Sequence, residues 1–473
     1  MIRHNLYSKK SINIIIIISF FMSILLSFHY LSKYDKLVKI EYAQKLGHPM
    51  IKSAVQLHWF EADQIITDIK DKKKFLEYGK DYDEFLPQRI LALYYYITGD
   101  TILDKNGNHE TNNGKFLYLV LKTLLFYLSI IYLKSKITKI LPIKNCFFII
   151  SFLVLEPTIF QFHSSFWNES LFFPLQILLL SYLVSSPVNL FVNFSIGILL
   201  GVMFGVSVES FYLILPIIIF QILKFKKKSL KIVASSIFGF IIVLSIISLH
   251  NFKRTNTVFF MNDGAKSALY FYIAPSVLSI SESIPIESAQ SKMNIEKLEW
   301  INENKIKVSF NNKKFRDLGN IDNKIDRLKY YNYLQYTSLK IIIKNPLSTV
   351  KFMFKKNLHT IVLDPFFIKN FYKFEMRGKL RHYKSETHAN EIPYRIIYSG
   401  ILYMIILSGF FYSLKNVNKI FMFSIVILTL YPIFILGWMG VSRYFVPSLI
   451  YLSIFFGNGI TNILDIMNNK NKI

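Results

Sequence analysis

The sequence places acidic, basic and imidazole side chains beside the ends of long apolar runs. Glu61 and Asp63 follow the first run, and His163 and Glu169 flank the turn between two later runs. Arg443 begins the last run. A carboxylate can accept a proton from a hydroxyl group, and a guanidinium can donate two parallel hydrogen bonds to a phosphate. If these side chains converge, they suit a site for an anionic headgroup.

Each of these residues also has a purely structural interpretation. The carboxylates at 61–63 could cap and solvate an amphipathic helix, and Glu169 could be a first-turn acid favoured by the helix dipole. His163 could be a hydrogen-bonded residue of the core. The Arg443-Tyr444 pair could anchor a helix at headgroup level. Lys122, inside another apolar run, is expected to extend its ammonium to the surface, with an inward-facing position as the alternative.

Composition indicates the environment in which these residues must be positioned. The chain has 473 residues, of which 52% are hydrophobic and 18% are charged, with a formal net charge of +26. A soluble domain carries about 25% charged residues. The basic residues alternate with apolar runs and do not cover a soluble face, so no nucleic-acid partner is predicted. Cys146 is the single cysteine, which excludes an internal disulfide. The composition is that of a polytopic membrane protein.

The apolar runs predict an all-α protein with about ten transmembrane helices, because a span needs about 20 apolar residues. The first run follows Arg3, Lys9 and Lys10, lacks a small-residue cleavage site and is expected to remain as a span. The runs are 12–31, 116–133, 145–162, 169–186, 188–206, 209–224, 230–250, 395–413, 419–438 and 444–463. The stretch 188–224 is continuous and could be divided differently.

Basic residues predict the orientation, because short cytoplasmic loops are enriched in lysine and arginine. They concentrate before the first run and in every second short connection, for example at Lys224–Lys231. Both termini are therefore predicted to face the cytoplasm. The chain is predicted to divide into five parts. They are a cytoplasmic tail with the first helix (1–32), a first outer loop (33–114), a transmembrane bundle (115–250), a basic outer domain (251–394) and the C-terminal transmembrane helices (395–473).

The two outer segments differ in charge and contain amphipathic stretches. Residues 33–114 are near neutral, whereas 251–394 hold 24 basic and 13 acidic residues. The stretch Leu86–Gly99 is too short to span and is predicted to lie in the membrane interface. Tyr336–Val362 is predicted to form two amphipathic helices on the membrane surface, broken at Pro346.

The order of these features resembles the GT-C superfamily of membrane glycosyltransferases. The resemblance is strongest to the group with the protein O-mannosyltransferases and the lipid A aminoarabinose transferase. It covers about residues 12 to 463. The matching segments are Trp59–Asp63, Leu86–Gly99 with Arg89, Leu155–Pro157 with Trp167–Phe172, Gly197–Gly201, Asn251–Arg254 and Ser442–Pro447.

The resemblance implies inverting transfer of a sugar from a polyprenyl-phosphate donor to a lipid-linked glycan, a lipopolysaccharide or a protein. Asp63 would be the base, with Glu61 as the next candidate. The implied donor-binding residues are Arg89, His163, Glu169, Arg443 and Tyr444. No metal is required by these residues, and use of a divalent cation is left open. The Ile-, Lys- and Asn-rich composition favours a bacterial inner membrane, with the site on its extracytoplasmic face.

Three other functions remain as alternatives. A transporter or flippase of polyprenyl-linked glycans would show repeats and polar residues at the bilayer midplane, and no repeat is visible in this sequence. An O-antigen ligase or polymerase would place its arginines and histidine in a late outer loop. A non-catalytic assembly protein would keep the same spans without the base.

Overall fold

The computed structural model of this chain describes residues 7–38, 85–98, 113–164, 169–255, 263–310, 315, 321, 323–363, 365, 383–436 and 445–470. Helices account for most of these residues, and no β-strand occurs among them. The predicted all-α class is confirmed. Glu61, Asp63, Arg443 and Tyr444 lie outside the described residues.

Helices α1 to α9 form the first part of the described chain. They are α1 (Lys9–Val38), α2 (Phe85–Thr98), α3 (Asn113–Ile137), α4 (Ile143–Leu155), α5 (Pro157–His163), α6 (Glu169–Ser185), α7 (Leu190–Val206), α8 (Ile214–Phe225) and α9 (Ser229–Thr255). One end of the bundle contains the C-termini of α5, α7 and α9 and the N-termini of α3 and α6. We call it the His163 end. The opposite end, where α4 begins, is the Asn145 end.

The remaining helices divide into a compact segment and three further bundle helices. The segment contains α10 (Asp263–Ala268), α11 (Ala274–Glu282), α12 (Ile286–Glu303), α13 (Lys324–Lys344) and α14 (Pro346–Ile361). A π-helical turn joins α10 to α11. The last helices are α15 (Tyr383–Asn416), α16 (Lys419–Leu436) and α17 (Val446–Lys470). As predicted, two helices meet at Asn345–Pro346, where Pro346 occupies the first turn of α14, the helix position that best accepts a residue without a backbone N–H.

The length and composition of the helices are those of a multi-pass membrane protein. Within the described ranges, five stretches are long and apolar enough to cross a bilayer, and the number is seven if each of two bent helix pairs is counted as one span. One pair is α4–α5, bent by 54°; the other runs from Lys266 to Glu303, in the predicted outer domain. The stretch Ser210–Lys253 contains two helices, α8 and α9, that pack against each other. Ser170–Ser185, Leu190–Val206 and Lys419–Tyr431 are shorter apolar helices. The count of ten spans therefore stays a prediction.

Glycine allows two helix pairs to pack with their backbones in contact. A Cβ atom on Gly409 of α15 would overlap the carbonyl oxygen of Phe455 in α17, and one on Gly459 of α17 would overlap that of Ile405. A Cβ atom on Gly197 of α7, in the segment Gly197–Gly201, would likewise overlap the carbonyl oxygen of Ser236 in α9. Small residues at such contacts are typical of membrane helices, whose association cannot rely on the hydrophobic effect.

Amide and hydroxyl groups join the helices at the Asn145 end. The Asn145 side-chain amide donates to Asn458 Oδ1 at 2.6 Å, and the Asn458 amide donates to Ser413 Oγ at 2.8 Å, linking α4, α17 and α15. A second network centres on Gln221 of α8, whose amide donates to Ser236 Oγ at 2.7 Å and to the Tyr182 hydroxyl at 2.9 Å. Hydrogen bonds between membrane helices contribute about 0.6–2 kcal/mol each.

The segment from α10 to α14 has an apolar core separate from that of the bundle. Tyr270, Met293, Tyr330 and Leu334 are fully buried at its centre. Lys297 of α12 is also fully buried; its ammonium donates to the Phe315 carbonyl oxygen at 3.0 Å and lies within 6 Å of three phenylalanine rings. A cation in this position gains from the ring quadrupoles. The segment is therefore packed as a small helical domain.

We predict opposite effects of alanine at two glycines of α15. Gly409→Ala should lower the free energy of unfolding by about 1–3 kcal/mol, because the added methyl group forces α15 away from α17. Gly400→Ala should raise it by up to about 1 kcal/mol, since no atom lies within 4 Å of a Cβ there and alanine favours the helix. Denaturant titration of the purified variants measures both values. Equal effects would contradict the close approach of α15 and α17.

Candidate functional site at the His163 end

The structure places three predicted donor-binding residues at the His163 end. Arg89 lies in α2, which packs against α3 and α7. His163 is the last residue of α5, and Glu169 is the first residue of α6. For Glu169, only this backbone position is described. These residues are distant in sequence, and the fold brings their helix ends to one end of the bundle.

Arg89 is held by a histidine that the sequence did not single out. Its Nη2 lies 2.8 Å from Nε2 of His250, which is 4% exposed near the C-terminal end of α9. A guanidinium can only donate, so a ring nitrogen of His250 accepts in this contact. The contact fixes α2 against α9. Leu86 of α2 also packs at Gly205, where a Cβ atom would contact the leucine side chain.

Lys122 is directed into the bundle, contrary to the expectation from the sequence. Its ammonium was expected to extend to the surface, but the residue is 4% exposed and donates to Ser170 Oγ at 2.6 Å. The ammonium also lies 5.0 Å from the centre of the Tyr118 ring, which packs against Tyr94 of α2. Because α3 turns this face towards α6, the lysine has no direct path to the surface. The His163 end therefore contains a second cation, beside the start of α6.

His163 is enclosed by aromatic rings. Its imidazole stacks on Phe126 with centroids 4.1 Å apart and planes 9° apart, and the edges of Tyr127 and Phe160 complete the enclosure. Ser23 Oγ of α1 lies 3.4 Å from Nε2. Within the described part of the chain, Nδ1 has no hydrogen-bond partner. From this position His163 can support the end of α5, whereas direct contact with a ligand would require the imidazole to leave the stack.

Tyr127 connects this imidazole to the first helix. Its hydroxyl lies 2.6 Å from Ser19 Oγ and 2.8 Å from Ser23 Oγ. Ser19 in turn donates to the Val154 carbonyl oxygen of α4 at 2.6 Å. Three serines of α1, at positions 19, 23 and 27, are fully buried. One face of α1 is thus polar and sealed inside the bundle, although the sequence of α1 reads as a uniformly apolar span.

Glu156 is a buried acidic residue at the break between α4 and α5. Its Oε2 accepts from the Ile159 backbone amide at 2.7 Å, and its Oε1 accepts from Thr158 Oγ1 at 2.9 Å and from the Tyr398 hydroxyl of α15 at 2.5 Å. The carboxyl group caps α5 and links it to α15. Glu156 could have been recognised from the sequence. An acidic residue followed by proline inside an apolar run is expected to break the helix and to need buried hydrogen-bond partners.

An apolar cleft of about 590 Å³ lies between α1, α4, α15 and α17. Phe147, Phe152 and Phe456 line it, and Glu156 and Tyr398 form a polar part of its wall. Three donors of the protein already satisfy the carboxyl oxygens of Glu156. The cleft therefore suits hydrocarbon chains more than charged groups.

In the described ranges, no three His, Cys, Asp or Glu residues lie close enough together to hold a metal ion.

No protein-family model matches this sequence, and no curated protein matches it. The described part of the candidate site contains two basic side chains, two histidines and one buried carboxyl group: Arg89, Lys122, His163, His250 and Glu156. Hydrogen bonds and ring contacts fix their positions.

We predict that Tyr398 stabilises the bundle through Glu156. Tyr398→Phe should lower the free energy of unfolding by about 1 kcal/mol, in the range for hydrogen bonds between membrane helices, and should have almost no effect when Glu156 is already alanine. Tyr394→Phe is the matched control, because Tyr394 lies one turn earlier in α15 and is 71% exposed. Denaturant titration of the single and double variants measures the coupling. Additive effects would contradict the hydrogen bond.

Proposed function

We propose that this protein is a membrane glycosyltransferase that transfers a sugar from a polyprenyl-phosphate-linked donor at the His163 end. The observation that supports this most is the guanidinium of Arg89, held by His250 at the end of the bundle that also contains Lys122. A polyprenyl chain keeps its phosphate at the membrane surface, and a fixed cation there can stabilise the phosphate as it leaves the sugar.

The proposed reaction is an inverting displacement. Asp63, or Glu61 in its place, accepts the proton of the acceptor hydroxyl, whose oxygen forms a bond to the anomeric carbon. The bond from that carbon to the phosphate oxygen breaks, and its electron pair leaves with the polyprenyl phosphate. Arg89 and Arg443 stabilise the negative charge on the phosphate. The acceptor is a lipid-linked glycan, a lipopolysaccharide or a protein.

The remaining predicted residues have supporting roles in this proposal. Tyr444 donates a hydrogen bond to the donor phosphate, and Glu169 orients the sugar at the start of α6. His163 acts indirectly, because its enclosed imidazole supports the C-terminal end of α5. Ten spans with both termini in the cytoplasm would put the His163 end on the extracytoplasmic face of a bacterial inner membrane.

A transporter of lipid-linked glycans is the second candidate. The observation that favours it is the bent pair α4–α5, in which the buried Glu156 interrupts a span. Interrupted helices with buried polar groups are typical of transport sites. However, the Glu156 carboxyl group is satisfied by three donors within the protein, so its role in capping α5 already accounts for it.

Transfer of radiolabelled sugar in membranes tests the first proposal. A panel of polyprenyl-phosphate sugars is supplied to membranes containing equal amounts of each variant and endogenous acceptors. Asp63→Asn should lower transfer by about 100-fold or more through loss of the base, and Arg89→Gln by about 100-fold through loss of phosphate stabilisation. Lys307→Gln, at an exposed position of the α10–α14 segment, should retain wild-type activity.

The outcomes separate the residue roles from the function. If Asp63→Asn transfers as well as the wild type, Asp63 is not the base and Glu61 becomes the residue to change. If the wild type transfers no sugar from any donor but moves a lipid-linked glycan across reconstituted vesicles, the glycosyltransferase proposal is wrong and the transporter is favoured.

A further inference from the structure

The elbow between α13 and α14 carries six exposed apolar side chains. The side chains recur at helical spacing along one side of each helix, three on α13 and three on α14. We call them the apolar ridge: Tyr336 (69% exposed), Leu339 (40%), Ile343 (73%), Leu347 (84%), Val350 (64%) and Phe354 (67%). Exposed apolar patches of this kind mark contact with a membrane or a protein.

The ridge is a defined face of two packed helices. On the opposite side, Leu334 and Ser338 of α13 are fully buried, and Phe352 of α14 packs on Ile273 and Val277. Thr349 Oγ1 donates to the Asn345 carbonyl oxygen at 2.9 Å across the junction. The elbow is therefore fixed by the core of the segment and by hydrogen bonds, and it presents the ridge in one orientation.

Contacts with the bundle fix one end of the elbow beside a candidate membrane span. The Leu363 amide donates to Ser399 Oγ of α15 at 2.9 Å, and the Tyr403 hydroxyl donates to the Ile361 carbonyl oxygen. Ser399 lies about two turns inside the candidate span Ile392–Asn416. α14 also contacts α16. The C-terminal end of α14 thus lies beside two apolar helices of the bundle, one of them a candidate span.

Positive charge lines the ridge. Four ridge residues are each followed directly in the sequence by an exposed lysine, at positions 340, 344, 351 and 355. The sequence from Tyr336 to Ile361 contains no Asp or Glu. Lysines with long stems can keep their ammonium groups in the headgroup layer while neighbouring apolar side chains enter the membrane. Each lysine near an anionic membrane surface favours binding about fivefold.

We propose that the apolar ridge inserts into the leaflet at the His163 end and that Lys340, Lys344, Lys351 and Lys355 bind the phosphates of anionic phospholipids there. This contact orients the α10–α14 segment over the bundle. It is independent of the proposed transferase activity.

Fluorescence of the full chain in lipid nanodiscs tests the insertion. In a Cys146→Ala background, an environment-sensitive dye is attached at Val350→Cys, with Ile295→Cys of α12, 58% exposed, as the control position. The nanodiscs contain phosphatidylcholine alone or mixed with phosphatidylglycerol, plus a spin-labelled quenching lipid. We expect quenching at 350, stronger with phosphatidylglycerol, and none at 295. Equal exposure of both dyes to a water-soluble quencher would overturn the proposal.

Lysine variants test the preference for anionic lipids. Lys351→Gln with Lys355→Gln should remove the extra quenching caused by phosphatidylglycerol, whereas Lys305→Gln with Lys307→Gln, two exposed lysines of the same segment, should leave it unchanged. If both pairs behave alike, the anionic preference is wrong. If the dye at 350 is protected by soluble heparin and not by lipid, the ridge binds an anionic glycan and the lipid assignment is overturned.

Discussion

Contact between helix backbones is the constraint on which the rest of this bundle depends. In a bilayer the lipid chains are as apolar as leucine, so helices associate through close packing and hydrogen bonds. Gly409 and Gly459 provide that contact between α15 and α17, and Gly197 and Gly239 provide it between α7 and α9. These close contacts fix the relative positions of the two helices in each pair. Consequently the bundle can bury polar side chains in fixed positions without water.

The two ends of the bundle use buried polar groups differently. At the Asn145 end the partners are neutral amides and hydroxyls, which match each other's donors and acceptors. At the His163 end they include the ammonium of Lys122 and two imidazoles, beside the half-buried guanidinium of Arg89. Buried charges are costly in a membrane and are usually retained for a function. The contrast favours the His163 end as the place where a ligand meets the protein.

Part of this structure was predictable from the pattern of residues, and part was not. The apolar runs predicted helices, and Pro346 predicted the break between α13 and α14. The run 145–162 looked continuous, however, and the role of Glu156 at the break depends on Tyr398, which lies more than two hundred residues later. The direction of Lys122 depends on which face α3 turns to α6. The pairing of Arg89 with His250 is a tertiary contact that no local pattern records.

The position of α17 has a consequence for the biosynthesis of the protein. This last described helix contacts α4, α5, α6, α15 and α16. The Asn145 amide of α4 pairs with Asn458 of α17, 313 residues later in the chain. While the ribosome is still translating the middle of the chain, the early helices are already in the membrane with this amide unpaired. The hydrogen bond between α4 and α17, and the packing of α17 against five other helices, therefore form only after α17 is inserted.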